Sequence, residues 1–254
     1  MNELLSLALD AARRAGKAIM EIYDDPKADW QIERKADNSP LTLADRRAHA
    51  VIAATLAPSG LPVLSEEGVH AAWSERREWQ RLWVVDPLDG TKEFIRRNGQ
   101  FTVNIALVEG GVPRLGVVYV PASGVTYYGT ADGGARRVDA DGTEAALPDD
   151  AGERPFTVVA SASHMSPETA EYIDRLRQVR PDLRLVSAGS SLKLCRVAEG
   201  SADVYPRFAP TMEWDTAAGH AVAAAAGRRV TDAQTGLPLV YNKADLHNPW
   251  FIVE

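Results

Sequence analysis

Residues 83–94 read Trp-Val-Val-Asp-Pro-Leu-Asp-Gly-Thr-Lys-Glu-Phe, an apolar strand that ends in two carboxylates three positions apart. Proline and glycine restrict and turn the backbone here, so Asp86 and Asp89 can point into one site together with the carbonyl oxygen of Leu88. Oxygen ligands of this kind suit magnesium or calcium. A simple turn after a strand also uses Asp and Pro, but it has no need of Thr91 directly after the glycine. The stretch therefore predicts part of a metal site.

Two further acidic segments extend this prediction. Glu66 and Glu67 follow a short apolar run and, being adjacent, face opposite ways, so we expect Glu66 to bind the metal and Glu67 to support it. Asp215 follows Trp214 at the start of an alanine-rich helix, where an acid is also favourable as a helix N-terminal residue. The sequence does not separate those two roles of Asp215. Acidic segments that converge on a cation favour hydrolysis of a phosphate ester.

The composition is that of a folded, acidic protein. Of the 254 residues, 45% are hydrophobic and 25% are charged, and 35 acidic against 28 basic residues give a formal net charge of −7. This charge argues against binding to nucleic-acid backbones. It would also repel a phosphorylated substrate unless bound divalent cations reverse the local field. Cys195 is the single cysteine, which excludes an intrachain disulfide, and we expect it to be a small buried hydrophobe.

Targeting signals are sparse. The N-terminus lacks a basic region followed by an apolar one, which predicts no secretory signal. No run of about 18 apolar residues occurs, which predicts no transmembrane span. We therefore expect a cytoplasmic protein and leave peripheral association with a membrane open. The oligomeric state is open as well, with a homodimer as the candidate assembly.

Hydrophobic periodicity predicts an α+β first half. Helical spacing runs over 3–23 and 42–57, with Thr42 as the N-cap and Asp45 in the first turn of the second helix. A short helix is predicted over 91–97. The predicted strands of this half cover 61–64, 82–85, 101–108, 114–120 and 125–130. The last three follow one another through short turns, which predicts antiparallel pairing.

The second half alternates strands and helices, which predicts an α/β unit with helices on both faces. Residues 131–154 are rich in Gly, Asp and Ala, and we place a domain boundary or a long surface connection there. This boundary divides the chain into domains of residues 1–150 and 151–254. Strands are predicted over 156–160, 183–187 and 202–205, and helices over 167–179, 190–199 and 215–226.

Polar residues outside the acidic segments supply further candidates. A threonine hydroxyl bonded to an aspartate can orient a water and take its proton, so Thr91 and Asp45 form a candidate pair, although Asp45 is equally a helix first-turn acid. Ser161 and His164 lie in a loop between a strand and a helix, where ligands bind in α/β sheets. His164 would also serve as an exposed or capping residue. In a second such loop, backbone N–H groups and a lysine could hold a phosphate at a helix N-terminus. That loop contains Gly189 and Lys193.

Four segments, in this order, resemble motifs of the inositol monophosphatase superfamily of magnesium-dependent, lithium-sensitive phosphatases. They are residues 35–45, 64–67, 85–94 and 214–219. The ending Thr91-Lys92-Glu93-Phe94 is more similar to the 3′(2′),5′-bisphosphate nucleotidase branch than to the inositol monophosphatases themselves, and so are the two loops around Ser161 and Gly189.

The resemblance implies an α/β (α+β) fold, a layered α/β/α/β/α sandwich with the active site between its halves. It implies two or three Mg²⁺ ions bound by Glu66, Asp86, Asp89, Asp215 and the Leu88 carbonyl. It implies water activation by Asp45 and Thr91, and substrate contacts from Gly90, Thr91, Ser161, His164, Gly189 and Lys193. The implied reaction is hydrolysis of adenosine 3′,5′-bisphosphate to AMP and phosphate, in sulfur assimilation. Inositol monophosphate and fructose 1,6-bisphosphate are alternative substrates, and a metal-binding protein without turnover is an alternative of another class.

Overall fold

The computed structural model describes residues 2–34, 40–149, 152–161 and 165–254. Within these ranges, helices α1 to α7 span Asn2–Tyr23, Leu43–Leu56, Trp73–Arg76, Thr91–Ile95, Pro167–Val179, Leu192–Ala198 and Glu213–Ala225. Strands β1 to β14 span Glu33–Arg34, Pro40–Leu41, Val63–Ser65, Arg81–Asp89, Thr102–Glu109, Val112–Val120, Val125–Thr130, Gly134–Val138, Glu144–Leu147, Thr157–Ala160, Arg184–Ser187, Tyr205–Arg207, Val230–Asp232 and Phe251–Val253.

Five layers stack in the described part of the chain. Helices α1 and α2 pack on one face of a sheet with the strand order β3-β4-β5-β6-β7-β8-β9, and α7 packs on the other face with α6 beside it. Beyond α6 lie the parallel pair β10–β11 and the sheet β12-β14-β13, which a bridge between Val158 and Val204 connects. Helix α5 packs on β12. The predicted α/β/α/β/α sandwich is therefore confirmed.

The large sheet is mixed. Strand β3 runs parallel to β4, and every later pair of neighbours, from β4–β5 to β8–β9, is antiparallel. The antiparallel pairing predicted for the three consecutive strands β5 to β7 is confirmed. Because β3 and β4 pair in parallel, with Ser65 opposite Val85, the carboxyl end of β3 lies beside the point on β4 where Asp86 follows. The sheet thus places two of the acidic segments next to each other.

The expectation for residues 131–154 is wrong in part. Residues 134–138 and 144–147 form β8 and β9, which extend the large sheet instead of leaving it. The apolar–polar alternation of these short strands is weak in the sequence, because β9 is the edge strand of the sheet and only Ala135 and Leu147 of the two strands are buried. The proposed division into residues 1–150 and 151–254 stays a prediction.

Helix α7 lies unusually close to the large sheet. A Cβ atom added at Gly116 on β6 would lie 2.2 Å from the carbonyl oxygen of Ala218, and one at Gly129 on β7 would lie 2.8 Å from the Cβ of Ala225. Glycine on the strands and alanine on the helix together allow this approach. The depth of α7 matters because its first turn carries Asp215.

The remaining helices follow their sequence patterns. One face of α1 buries Ala8, Ala11, Ala15 and Ile19 against α2 and the sheet. Cys195 in α6 is fully buried, as expected. None of the helices in the described ranges combines the length and apolar character that crossing a bilayer requires.

Candidate metal centre and substrate cleft

A β-bulge turns both carboxylates of β4 to the same side. Successive side chains of a regular strand alternate, so residues three apart would face opposite ways. Here Asp86 pairs with Asn104 and Asp89 pairs with Thr102, so β4 carries one more residue than β5 between these pairs. The extra residue returns Asp89 to the face that Asp86 occupies. The Leu88 N–H donates to Asp86 Oδ1 at 3.0 Å and stabilises this turn.

Three carboxylates from distant segments meet at this point. One ligand atom from each of Glu66, Asp86 and Asp215 lies within 4.8 Å of the other two. Asp89 lines the same cleft, where its Oδ2 accepts hydrogen bonds from Ser191 Oγ at 2.8 Å and Asn104 Nδ2 at 3.2 Å. The tight group contains Glu66 and not its neighbour Glu67. The structure therefore brings the three predicted acidic segments together.

The electrostatics of this group favour a bound cation. Burial, followed by repulsion from Glu66 and Asp89, raises the pKa of Asp86 well above its usual range. Burial and repulsion from Asp89 raise the pKa of Asp215 to about 8. Buried carboxylates without a counter-charge destabilise the folded state, because desolvation and mutual repulsion both penalise their ionised form. A divalent cation would relieve both effects, and an all-oxygen donor set fits Mg²⁺.

Asp45 and Asp215 are each the third residue of a helix, and each has both a structural and a site role. The Oδ2 of Asp215 accepts the Met212 N–H at 2.8 Å and caps α7, while its carboxylate belongs to the acidic group. The Oδ2 of Asp45 accepts the Thr42 N–H at 2.7 Å and caps α2, while its Oδ1 accepts the Thr91 hydroxyl at 3.2 Å. The structural and functional interpretations of these acids are therefore compatible, since a carboxylate has two oxygens.

A cleft of about 260 Å³ opens over the acidic group. Most of the predicted site residues line it, namely Glu66, Asp86, Leu88, Asp89, Gly90, Thr91, Ser161, Gly189, Lys193 and Asp215. Asp45 does not line the cleft but contacts it through Thr91. His164 lies outside the described residues, and so do residues 35–39 of the first motif.

Hydrogen bonds to other protein groups hold the loop before α6, which contains Gly189. The Gly189 N–H donates to Gln100 Oε1 at 2.8 Å, and Lys193 Nζ donates to the carbonyl oxygens of Ser190 and Ala188. Lys193 is 6% exposed, and burial lowers its pKa to about 8. The predicted phosphate donors thus already have partners in the loop, and their contact with a substrate stays a prediction.

Arg207 is a cleft residue that the sequence analysis missed. It lines the cleft at the end of β12, and its buried Nε has no hydrogen-bond partner among the described residues. The predicted strand ended at Tyr205, whereas β12 runs to Arg207. Since ligands bind at the carboxyl ends of strands in such sheets, a correct strand boundary would have marked this arginine.

Comparison with known proteins agrees with this geometry. Residues 1–250 match the inositol monophosphatase family. The chain is 51% identical to the 3′(2′),5′-bisphosphate nucleotidase CysQ of Escherichia coli strain K12, over 98% of this chain and 99% of that protein. It is 34% identical to the protein of the same name from Haemophilus influenzae, over 100% of this chain and 93% of that protein.

A solved structure extends the similarity to three dimensions. The crystal structure of CysQ from Bacteroides thetaiotaomicron, described as a bacterial member of the inositol monophosphatase family, has a TM-score of 0.92 and 51% identity to this chain. The match covers 99% of this chain and 97% of that one. The layered sandwich, the converging acidic segments and these similarities lead to one conclusion: the chain belongs to the inositol monophosphatase family.

Proposed function

We propose that this protein is a metal-dependent phosphatase that removes the 3′-phosphate of adenosine 3′,5′-bisphosphate. The observation that carries the proposal is the close group of the carboxylates of Glu66, Asp86 and Asp215 beside the Thr91–Asp45 pair. The substrate is favoured by the relatives, which are named 3′(2′),5′-bisphosphate nucleotidases. The reaction breaks the bond between phosphorus and the 3′ oxygen, forms a bond from phosphorus to a water oxygen, and leaves a proton on the 3′ oxygen of AMP.

Two or three Mg²⁺ ions are the proposed cofactors. Glu66, Asp86, Asp89, Asp215 and the Leu88 carbonyl would hold them. Divalent ions in such a site stabilise negative charge on phosphoryl oxygens and lower the pKa of a coordinated water. The protein itself would supply a partly buried set of oxygens and a cleft to position the phosphate, and positioning and charge stabilisation are most of what phosphoryl transfer requires.

Thr91 and Asp45 would handle the proton of the attacking water. Thr91 Oγ1 donates to Asp45 Oδ1 at 3.2 Å, so the threonine oxygen can accept a hydrogen bond from a water above it. Asp45 is 1% exposed and its other oxygen caps α2, which keeps the carboxylate in place. Gly90 would lie against the departing phosphate.

The far side of the cleft would hold the rest of the nucleotide. Ser161, Gly189, Lys193 and Arg207 line it, and the last two bring positive charge close to an otherwise acidic site. A substrate with a second phosphate would bind more tightly because of these cations, whereas inositol monophosphate has no second phosphate to contact them. His164 is a further proposed contact. Location in the cytoplasm, a role in sulfur assimilation and inhibition by lithium are part of the proposal.

A panel of three substrates tests the proposal. Phosphate release is measured from adenosine 3′,5′-bisphosphate, inositol 1-phosphate and fructose 1,6-bisphosphate, with Mg²⁺ and with excess chelator. We expect the nucleotide to have the highest kcat/KM and the chelator to abolish its hydrolysis. A higher kcat/KM on either other substrate would favour a sister phosphatase. Stabilisation by Mg²⁺ without phosphate release from any of the three would favour a non-catalytic metal-binding protein.

A further inference from the structure

Two histidines from different segments hold Ser65, the residue before Glu66. His49 Nδ1 lies 2.9 Å from Ser65 Oγ, and His70 Nε2 donates to the Ser65 carbonyl oxygen at 2.8 Å. Ser65 is the last residue of β3 and is 2% exposed. We call Ser65, His49 and His70 the Ser65 clamp.

The clamp connects the helix of the Asp45–Thr91 pair to the strand that ends at Glu66. His49 lies on α2 one helical turn after Asp45, on the same side of the helix. Its contact with the Ser65 hydroxyl therefore connects the middle of α2 to the end of β3. Asp45 in turn holds Thr91, so α2 is attached to the site at two points.

The second arm of the clamp reaches the segment of Asp215. The ring of His70 packs against the ring of Trp214, with centroids 5.2 Å apart and an angle of 47°. Trp214 is 6% exposed and directly precedes Asp215. His70 therefore contacts both the residue before Glu66 and the residue before Asp215, and these two acids lie in the same carboxylate group.

The position of Glu66 depends on such support because it follows the end of β3. Strand pairing between β3 and β4 ends at Ser65 and Val85, and the Glu66 N–H continues it by donating to the Val85 carbonyl at 3.1 Å. Beyond that bond the chain turns, with the Gly68 N–H donating to the Ser65 carbonyl at 3.0 Å. His70 adds a second donor to that same carbonyl.

We propose that His49 and His70 are positioning residues that set the separation of Glu66 and Asp215 and thereby the affinity of the site for a divalent cation. This inference rests on the proposed function, since it assumes that these acids bind metal. Groups that orient metal ligands without touching the metal typically change affinity about 10–100-fold when they are lost. Neither histidine needs to touch the substrate or the cation.

Substitutions at His70 separate its hydrogen bond from its ring. His70→Phe keeps a ring against Trp214 and loses the donor, while His70→Gln keeps a donor at the ε position and loses the ring. His49→Asn, which keeps a polar group at the δ position, is compared with His49→Leu. Val69→Ala is the control, because Val69 is adjacent to His70 and fully exposed.

Binding is measured with Mn²⁺ alone, by electron paramagnetic resonance of the free ion, and activity is measured as a function of Mg²⁺. We expect His70→Phe and His49→Leu to raise the Mn²⁺ dissociation constant and the Mg²⁺ activation constant about tenfold, with kcat at saturating Mg²⁺ within about twofold of wild type. His49→Asn and Val69→Ala should stay within about threefold for both constants. His70→Gln keeps the donor but loses the ring contact with Trp214, so its constants should lie between those of Val69→Ala and His70→Phe.

Unchanged Mn²⁺ affinity in both His70→Phe and His49→Leu would overturn the proposal. So would a loss of kcat at saturating Mg²⁺ with no change in either metal constant, or an equal weakening in Val69→Ala. If the wild-type protein binds Mn²⁺ but hydrolyses none of the three substrates, the proposed function fails while the Mn²⁺ measurements still test the clamp.

Discussion

Replacing Asp215 with asparagine should make the metal-free protein more stable while it disables the site. The asparagine Oδ1 can still accept the Met212 N–H, so the cap of α7 is kept. What disappears is a negative charge that lies within the group of Glu66 and Asp86. Because Asp215 also contributes to the raised pKa of Asp86, the substitution relieves a second buried acid.

The size of the gain follows from the pKa of Asp215, which burial and Asp89 raise to about 8 from an ordinary value of 3.8. A raised pKa means that the folded state holds the proton more tightly, so stability is full below the ordinary pKa and is lost as pH rises toward the folded value. At about 1.36 kcal/mol per pH unit, the loss is about 2 kcal/mol at pH 5 and about 4 kcal/mol at pH 7. Asparagine stays neutral and avoids that loss.

Urea unfolding in excess chelator at pH 5 and pH 7 measures this difference. We expect Asp215→Asn to be more stable than wild type at both values, with a gain about 2–3 kcal/mol larger at pH 7. Saturating Mg²⁺ should reverse the order, because a cation that binds only the folded state stabilises wild type and much less the variant. A variant that is no more stable than wild type in chelator, or a gain that does not grow with pH, would refute the reasoning.

Three further predictions concern the helices around the site. Burial lowers the pKa of His220 on α7 to about 4, so the folded state resists protonation, and the contribution of His220 to stability should fall by about 3 kcal/mol as pH decreases from 6.5 to 4. In urea titrations His220→Asn should lose that contribution and gain stability relative to wild type as pH falls; the same pH dependence in both proteins would contradict it. Gly116→Ala should destabilise the protein by about 1–3 kcal/mol in urea and weaken Mg²⁺ binding, because its Cβ would lie 2.2 Å from the Ala218 carbonyl oxygen of α7 and would displace that helix. Unchanged stability would show that α7 tolerates the shift. Lys193→Ala should raise KM for adenosine 3′,5′-bisphosphate more than for inositol 1-phosphate. An equal change on both substrates would mean that Lys193 stabilises the loop before α6 and does not contact the nucleotide.

Local signals in the sequence predict many of the elements. Apolar spacing marks α1 and α2, and Thr42 with Asp45 marks the start of α2, because a helix N-terminus has unsatisfied N–H groups that such residues bond. The alternation of β5 to β7 and the turns between them predict their pairing. At β8 and β9, where each strand buries a single residue, the same signals fail.

Local sequence patterns predict less of the candidate site. A spacing of three on a regular strand would separate Asp86 from Asp89, and the bulge that unites them appears in the pairing of β4 with β5. The contact of Thr91 with Asp45 bridges 46 positions. Arg207 was missed because the predicted strand ended two residues too early. The Ser65 clamp left no recognisable pattern, since it depends on neighbours brought together from elsewhere in the chain.

The order of residues alone thus specifies which segments are helical or extended and which carry the acidic side chains, since these follow from interactions over a few positions. Whether those acids meet is a question of packing. Helix α7 reaches the sheet because glycines at 116 and 129 leave room for it, and this approach brings Asp215 to Glu66 and Asp86. Convergence of groups more than a hundred positions apart depends on how whole surfaces fit, and short-range patterns carry no information about that fit.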